Sequence, residues 1–180
     1  MRAFVAVKIP DGPSLYRPLE GLSAAGGLRV YGTGDLHITL SFIGEIGQER
    51  LRDVSDTVER AARGIGPFDI TVGSMGSFPG KSGPRIVWAG ARSGGKLEML
   101  AERTAAELDE GGIGHDMKKF VPHITLARAR DERGAPSASS VIERYSGTDF
   151  LTFTCRRITV FGSELAPSGA VHTPVSEIAL

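Results

Sequence analysis

Two copies of one four-letter word carry most of the chemistry this sequence offers. His37-Ile38-Thr39-Leu40 lies in DLHITLSFIG, and His123-Ile124-Thr125-Leu126 returns 86 residues downstream in FVPHITLARAR. The chain holds 4 histidines in 180 residues, so half of them head this word. On a strand, successive side chains point to opposite faces, so His and Thr share one face while Ile and Leu share the other. Ile38, Leu40, Ile124 and Leu126 can then enter a core while His37, Thr39, His123 and Thr125 look into a cleft. An imidazole titrates near 6.5, so one of a pair can act as base while the other acts as acid. In-line substitution at phosphorus needs this arrangement. One imidazole accepts the proton of the entering oxygen, the other protonates the leaving oxygen, and hydroxyls donate to the non-bridging oxygens where charge accumulates.

Blander readings compete. A single His-Thr pair on a strand is ordinarily a half-exposed sheet position, and a repeated word can be a relic of duplication. Neither explains why four consecutive identities survive at this one place in the repeat. A zinc site is a further rival, but two histidines fall short of a tetrahedral site. His115 and His172 stand at no recognisable ligand spacing, so no metal and no cofactor are expected.

The elements that must position these residues also repeat. The 86-residue offset maps Gly76-Ser77 onto Gly162-Ser163, Ser82-Gly83 onto Ser168-Gly169, Leu22 onto Leu108 and Gly26 onto Gly112. Internal repeats of this kind indicate repeated structural units. RAFVAVKI and RIVWAGA read as strands, rich in β-branched and aromatic residues. Each precedes a helix: Leu15, Leu19 and Leu22 mark one face in the first, with Pro18 as an irregularity, and Leu97, Leu100, Ala101, Thr104 and Leu108 mark the second. An HITL strand follows each helix. Then come a helix with Leu51, Val54, Val58 and Ala61 on one face, and a shorter counterpart in SASSVIERY. FDITVGSM and FLTFTCRRITVFGS follow as strands, VHTPVSEIAL closes the chain as another, and DERGAPSA at 131–138 reads as a polar, mobile loop. The expectation is an α+β fold of one domain over residues 1–180. Its two pseudo-symmetric lobes, about 1–86 and 87–180, would each be an antiparallel sheet with helices outside, and the active-site cleft would lie between them.

Bulk composition narrows the class. A formal net charge of zero argues against wrapping long nucleic acid by bulk electrostatics, while leaving room for a local basic patch. The lone Cys155 excludes a disulfide framework and points to a reducing cytoplasm. MRAFVAVKIP is interrupted by Lys8 and Pro10 and reads as a first strand, not a signal peptide. No stretch approaches the roughly 18 apolar residues of a membrane span.

The paired words, with the segments around them, resemble the 2H phosphoesterase superfamily, named for two HxTx motifs. Within it the chain is most similar to the RNA 2′,3′-cyclic phosphodiesterases historically called 2′-5′ RNA ligases. MRAFVAVKIP looks like the family's opening strand, PFDITVGSMGSFPGKSGPRIVWAGA its middle hairpin and GSELAPSGAVHTPV its closing segment. Two positions depart from the family pattern: Ser41 stands where a basic residue is common, and His172 where an aromatic is usual. The resemblance implies opening of an RNA 2′,3′-cyclic phosphate to a 2′-phosphomonoester, and ATP-independent joining of RNA ends in the reverse sense. It implies His37 as proton donor to the departing 3′-oxygen, His123 as proton acceptor, and Thr39 and Thr125 as phosphate ligands. From the residues alone, donor and acceptor are indistinguishable in so symmetric a site.

Around the second word, Lys118, Lys119, Arg128 and Arg130 form a basic cluster suited to an RNA end. Arg128 lies three residues beyond Thr125, so an unbroken strand would turn it away from His123, and a bulge must intervene for it to reach phosphate. Phe42, Phe78 and Phe120 are candidates for gripping a base, Phe78 and Phe120 ahead of Phe42, whereas Trp88 is expected to pack. The expected partner is an RNA 3′ end bearing a 2′,3′-cyclic phosphate, tRNA fragments among the candidates, bound by a monomer. The alternatives are a phosphodiesterase for a small cyclic nucleotide or ADP-ribose cyclic phosphate, and a non-catalytic RNA-end binding protein.

Overall fold

The structure is a computed structural model, which describes residues 1–167 and 169–180, Gly169 through its backbone alone. The first sequence repeat contributes strand β1 (Arg2–Lys8), helix α1 (Tyr16–Ala25), a short strand β2 (Leu28–Val30), β3 (His37–Glu45), helix α2 (Leu51–Ala62) and β4 (Phe68–Pro79). The second contributes β5 (Pro84–Arg92), helix α3 (Lys96–Glu110), β6 (His123–Ala129), helix α4 (Ser139–Arg144), β7 (Asp149–Cys155), β8 (Arg157–Ala166) and β9 (Gly169–Ala179). Every strand pair is antiparallel. The strands run in the order β7-β4-β5-β6-β3-β1-β8-β9, with β2 added to β6.

Local sequence explains the helices. In α1, Pro18 falls in the first turn, where a backbone N–H has no acceptor within the helix, so the helix tolerates it. Leu19 and Leu22 are buried as their spacing demands, and Leu15 is buried from the 3₁₀ turn just before. All five marked residues of α3 are buried. α2 buries Val54, Val58 and Ala61 as expected and adds Thr57, whose hydroxyl accepts from Arg60 at 3.0 Å.

The α+β architecture is as expected, but the lobes do not divide the chain near residue 86. β1, β3, β8 and β9 form one half of the sheet, covered by α2 and α3. β2, β4, β5, β6 and β7 form the other, covered by α1 and α4. Each half therefore takes elements from both repeats. The cause is local: β4 and β5 straddle the repeat boundary and are joined by a tight turn closed by a Gly80 N–H to Gly83 carbonyl bond of 2.7 Å, so they must pair with each other. The repeat survives this exchange. β1 pairs with β3 and β8, just as β5 pairs with β6 and β4. Gly76-Ser77 and Gly162-Ser163 occupy β4 and β8, the corresponding strands. The match of Ser82-Gly83 to Ser168-Gly169 falls outside the described residues at Ser168.

Two further differences concern single segments. FLTFTCRRITVFGS is two strands, because the chain leaves β4 at Cys155 and joins β1 from Thr159. β2 has only three residues, too few to show a strand period in the sequence. Among the described residues, the ladder between the halves consists of one residue pair, Ile38 opposite Ile124, both sealed in the core. A flat sheet would hold β9 about 14 Å from β3, three strand spacings away. The rings of His172 on β9 and His37 on β3 are instead 5.5 Å apart, so the sheet is strongly curled.

Candidate active site

Each HITL word opens its strand, and each histidine is oriented by the same device. His37 Nδ1 lies 2.7 Å from the Asp35 carbonyl oxygen, and His123 Nδ1 lies 2.7 Å from that of Val121. A carbonyl only accepts, so both Nδ1 atoms carry hydrogen. Nε2 is then the titrating atom on each ring, a lone pair in the neutral form and an N–H in the charged one. Ile38, Leu40, Ile124 and Leu126 are buried, and the His and Thr residues between them line one cavity of about 420 Å³.

The cavity is shaped by two bulges. Between Val5 and Ala6 of β1, the partner strand β3 steps from Ser41 to Thr39, leaving Leu40 as the extra residue. Between Val87 and Trp88 of β5, β6 steps from Ala127 to Thr125, leaving Leu126 as the extra residue. A bulge reverses the alternation of side chains. Phe42 and Arg128, each three residues beyond its threonine, therefore return to the cavity side and line it. Arg128 thus joins His123 and Thr125, as the sequence required of it if it was to meet phosphate.

The environments of the two rings differ. Phe4 leans on His37 with ring centroids 5.0 Å apart, and Phe78 meets His123 edge-on at 5.3 Å. Burial pushes the His37 pKa below the ordinary imidazole range, and the neighbouring rings of His172 and His123 add to the effect, against the raising influence of its hydrogen bond to Asp35. A buried cation is disfavoured unless an anion is brought to it.

Phe78 flanks His123 but does not line the cavity, and it packs on Trp88 at 5.7 Å. Trp88 packs as expected, its indole lying against Gly76. Phe120 is outside the cavity, packed against the main core. It sits in the approach to β6, where an aromatic ring is better covered by the core than held toward solvent. Lys118 and Lys119 do not line the cavity either; Lys118 pairs with Asp116 at 3.3 Å.

The cations that do line it, besides Arg128, are Arg2 and Arg29. Arg2 shares a face with Phe4 by strand alternation, a signal present in RAFV; Arg29 is carried by β2, which has no legible period. His172 is the other residue missed. It comes from β9 and reaches the site only through the curl of the sheet. Ser41, the departure just after the first word, is buried, and its hydroxyl has no partner among the described residues. No cluster of three or more His, Cys, Asp or Glu suited to a metal ion occurs among the described residues.

Two imidazoles offering Nε2 across one cavity, with a threonine beside each and an arginine on the second side, make a site for acid–base chemistry on phosphate. Comparison with known proteins agrees with this class. The model of the 2′-5′ RNA ligase superfamily matches residues 12–165, and the chain belongs to that family, within the 2H phosphoesterases, as a hydrolase. The RNA 2′,3′-cyclic phosphodiesterase of Archaeoglobus fulgidus is 32% identical over 174 residues, 96% of either chain. That of Thermus thermophilus is 31% identical, covering 100% of this chain and 90% of its own. A solved structure from Thermus thermophilus, that of TT0787, superposes with a TM-score of 0.81 at 31% identity, covering 100% of this chain and 98% of its own. The fold is shared with Escherichia coli LigT in its apo form, TM-score 0.73 at 24% identity, covering 99% and 96%.

Proposed function

We propose that this protein opens a 2′,3′-cyclic phosphate at the 3′ end of RNA and leaves a 2′-phosphomonoester. The observation that carries this reading is the matched pair of Nδ1-to-carbonyl bonds, which sets two Nε2 atoms on one cavity. The names of the curated relatives supply the substrate class.

In the reaction, a water oxygen bonds to phosphorus and the bond from phosphorus to the 3′-oxygen breaks. His123 Nε2 takes the proton of the water, and His37 Nε2–H gives a proton to the departing 3′-oxygen. Thr39 and Thr125 donate to the non-bridging oxygens, and Arg128 balances the charge that gathers there. Acid–base help of this kind contributes about 10²–10⁴-fold per group. The lowered pKa of His37 makes it a ready proton donor, and the phosphate anion restores its proton when substrate binds. With an RNA 5′-hydroxyl in place of water, the same positions form a 2′-5′ linkage without ATP.

The acid and base are both side chains, so no metal enters the scheme. The test is to incubate the protein, in EDTA, with an oligonucleotide ending in a 2′,3′-cyclic phosphate and to identify the product. A 2′-phosphate is expected at undiminished rate. A 3′-phosphate would mean the other ester bond is cleaved, and activity lost in EDTA but restored by a divalent ion would overturn the metal-free scheme.

A further inference from the structure

Three imidazoles line the cavity, and the mechanism above uses two. The third, His172, is carried by β9. Its ring stands edge-on to His37 at 5.5 Å and 83°, and edge-on to Phe4 at 5.0 Å and 80°. His172 therefore occupies the His37 side of the cavity, where the leaving oxygen departs. Its Nδ1 is sealed from solvent and has no hydrogen-bond partner among the described residues.

That orphaned nitrogen decides the tautomer. A sealed N–H without an acceptor is rarer and costlier than a sealed lone pair without a donor. Nδ1 of His172 is thus the bare nitrogen, and the hydrogen is on Nε2. Burial also keeps the ring from charging, against the nearby Asp35 carboxylate. No protein acceptor for His172 occurs among the described residues. The ring is thus a neutral donor on the cavity wall, with its N–H left for a group bound in the cavity.

We propose that His172 Nε2–H is a second hydrogen-bond donor to the departing 3′-oxygen, beside the proton-donating His37. This rests on the cyclic-phosphate reading above. No proton is transferred from His172. It stabilises the oxygen while the bond to phosphorus breaks and while the proton from His37 arrives. A preorganised donor aimed at developing negative charge is a major source of rate, and it acts in the transition state rather than in binding.

The test compares His172→Phe, which keeps an aromatic ring and removes the N–H, with His172→Gln, which keeps a donor. Each is assayed on a cyclic-phosphate-ended oligonucleotide and on bis(4-nitrophenyl) phosphate, whose leaving group needs little stabilisation. On the oligonucleotide, His172→Phe is expected to lower kcat about 10²-fold, in the range for loss of one such donor, with KM little changed. His172→Gln is expected to recover most of that loss. On the aryl ester the loss is expected to shrink to a few-fold at most.

Equal losses on both substrates, a loss confined to KM, or full activity in His172→Phe would each overturn the proposal. Thermal melting of both variants identifies a folding defect, and a rate loss that tracks melting instead of the leaving group also counts against it. If the unaltered protein cleaves the aryl ester but not the cyclic phosphate, it is the cyclic-phosphate reading that fails.

Discussion

His37 and His123 are held by the same kind of backbone acceptor, so the different roles proposed for them must come from their surroundings. His37→Ala and His123→Ala are each expected to lower kcat by about 10²–10⁴-fold. The double variant should be little worse than either, because members of one catalytic unit are not additive. Thr39→Val and Thr125→Val remove one donor and keep the methyl, and are expected to cost up to about 10²-fold. Bis(4-nitrophenyl) phosphate should rescue His37→Ala and not His123→Ala; the opposite pattern would exchange the acid and the base. The pH dependence follows with its sign. A proton donor must be protonated, so activity is lost as pH rises through its pKa. Burial lowers that pKa in the free protein, placing the alkaline limb of kcat/KM below the ordinary imidazole value. The bound phosphate favours the charged ring, so the alkaline limb of kcat should lie at higher pH. Coincident limbs in measured profiles would remove His37 from the donor role.

At the scale of elements, the repeat-related glycines of β4 and β8 are not equivalent in energy. A methyl on Gly76 would drive into the indole of Trp88, whose strand neighbours include both Gly76 and Thr125. The nearest atoms to a methyl on Gly162 would be those of the flexible thioether of Met1. Gly76→Ala is therefore expected to destabilise by about 1–3 kcal/mol, as overpacking does, and to lower kcat through displacement of Thr125. Gly162→Ala should be milder on both counts. Urea denaturation of the two variants, with kcat measured beside it, checks the contrast, and equal effects would contradict it. The bulges at Leu40 and Leu126 are the other feature of this scale, since they alone turn Phe42 and Arg128 toward the cavity.

Across the whole molecule, the strand ladders of the two halves connect through one residue pair among the described residues, Ile38 and Ile124. Ile38→Ala and Ile124→Ala each empty a fully buried position and are expected to cost about 2–5 kcal/mol. Because the two residues touch, the double variant should fall short of the sum. Additive losses in chemical denaturation would mean that the halves are stabilised independently. Cys155 gives a second readout, placed where the chain passes from one half of the sheet to the other. Burial pushes its thiol up to about 11, so little thiolate forms near neutral pH. Alkylation by iodoacetamide should be slow in the folded protein and rise only with unfolding. Rapid native labelling would show that this crossing opens on its own.

The sequence by itself determined the words that carry the chemistry, the faces they present and the helices that cover them. A strand of period two and a helix of period 3.6 are local properties, written in neighbouring residues. It also stated the condition on Arg128, since a three-residue step cannot keep one face without a bulge. Tertiary structure decided which elements share a sheet. The β4–β5 turn spans the repeat boundary, and short-range pairing there forces strand exchange between the lobes. It also decided which side chains surround the candidate site. Phe120 was lost to the core, while Arg2, Arg29 and His172 were gained from strands distant in sequence. His172 could not be read from any spacing, because only the curl of the sheet brings β9 to within a ring's width of His37.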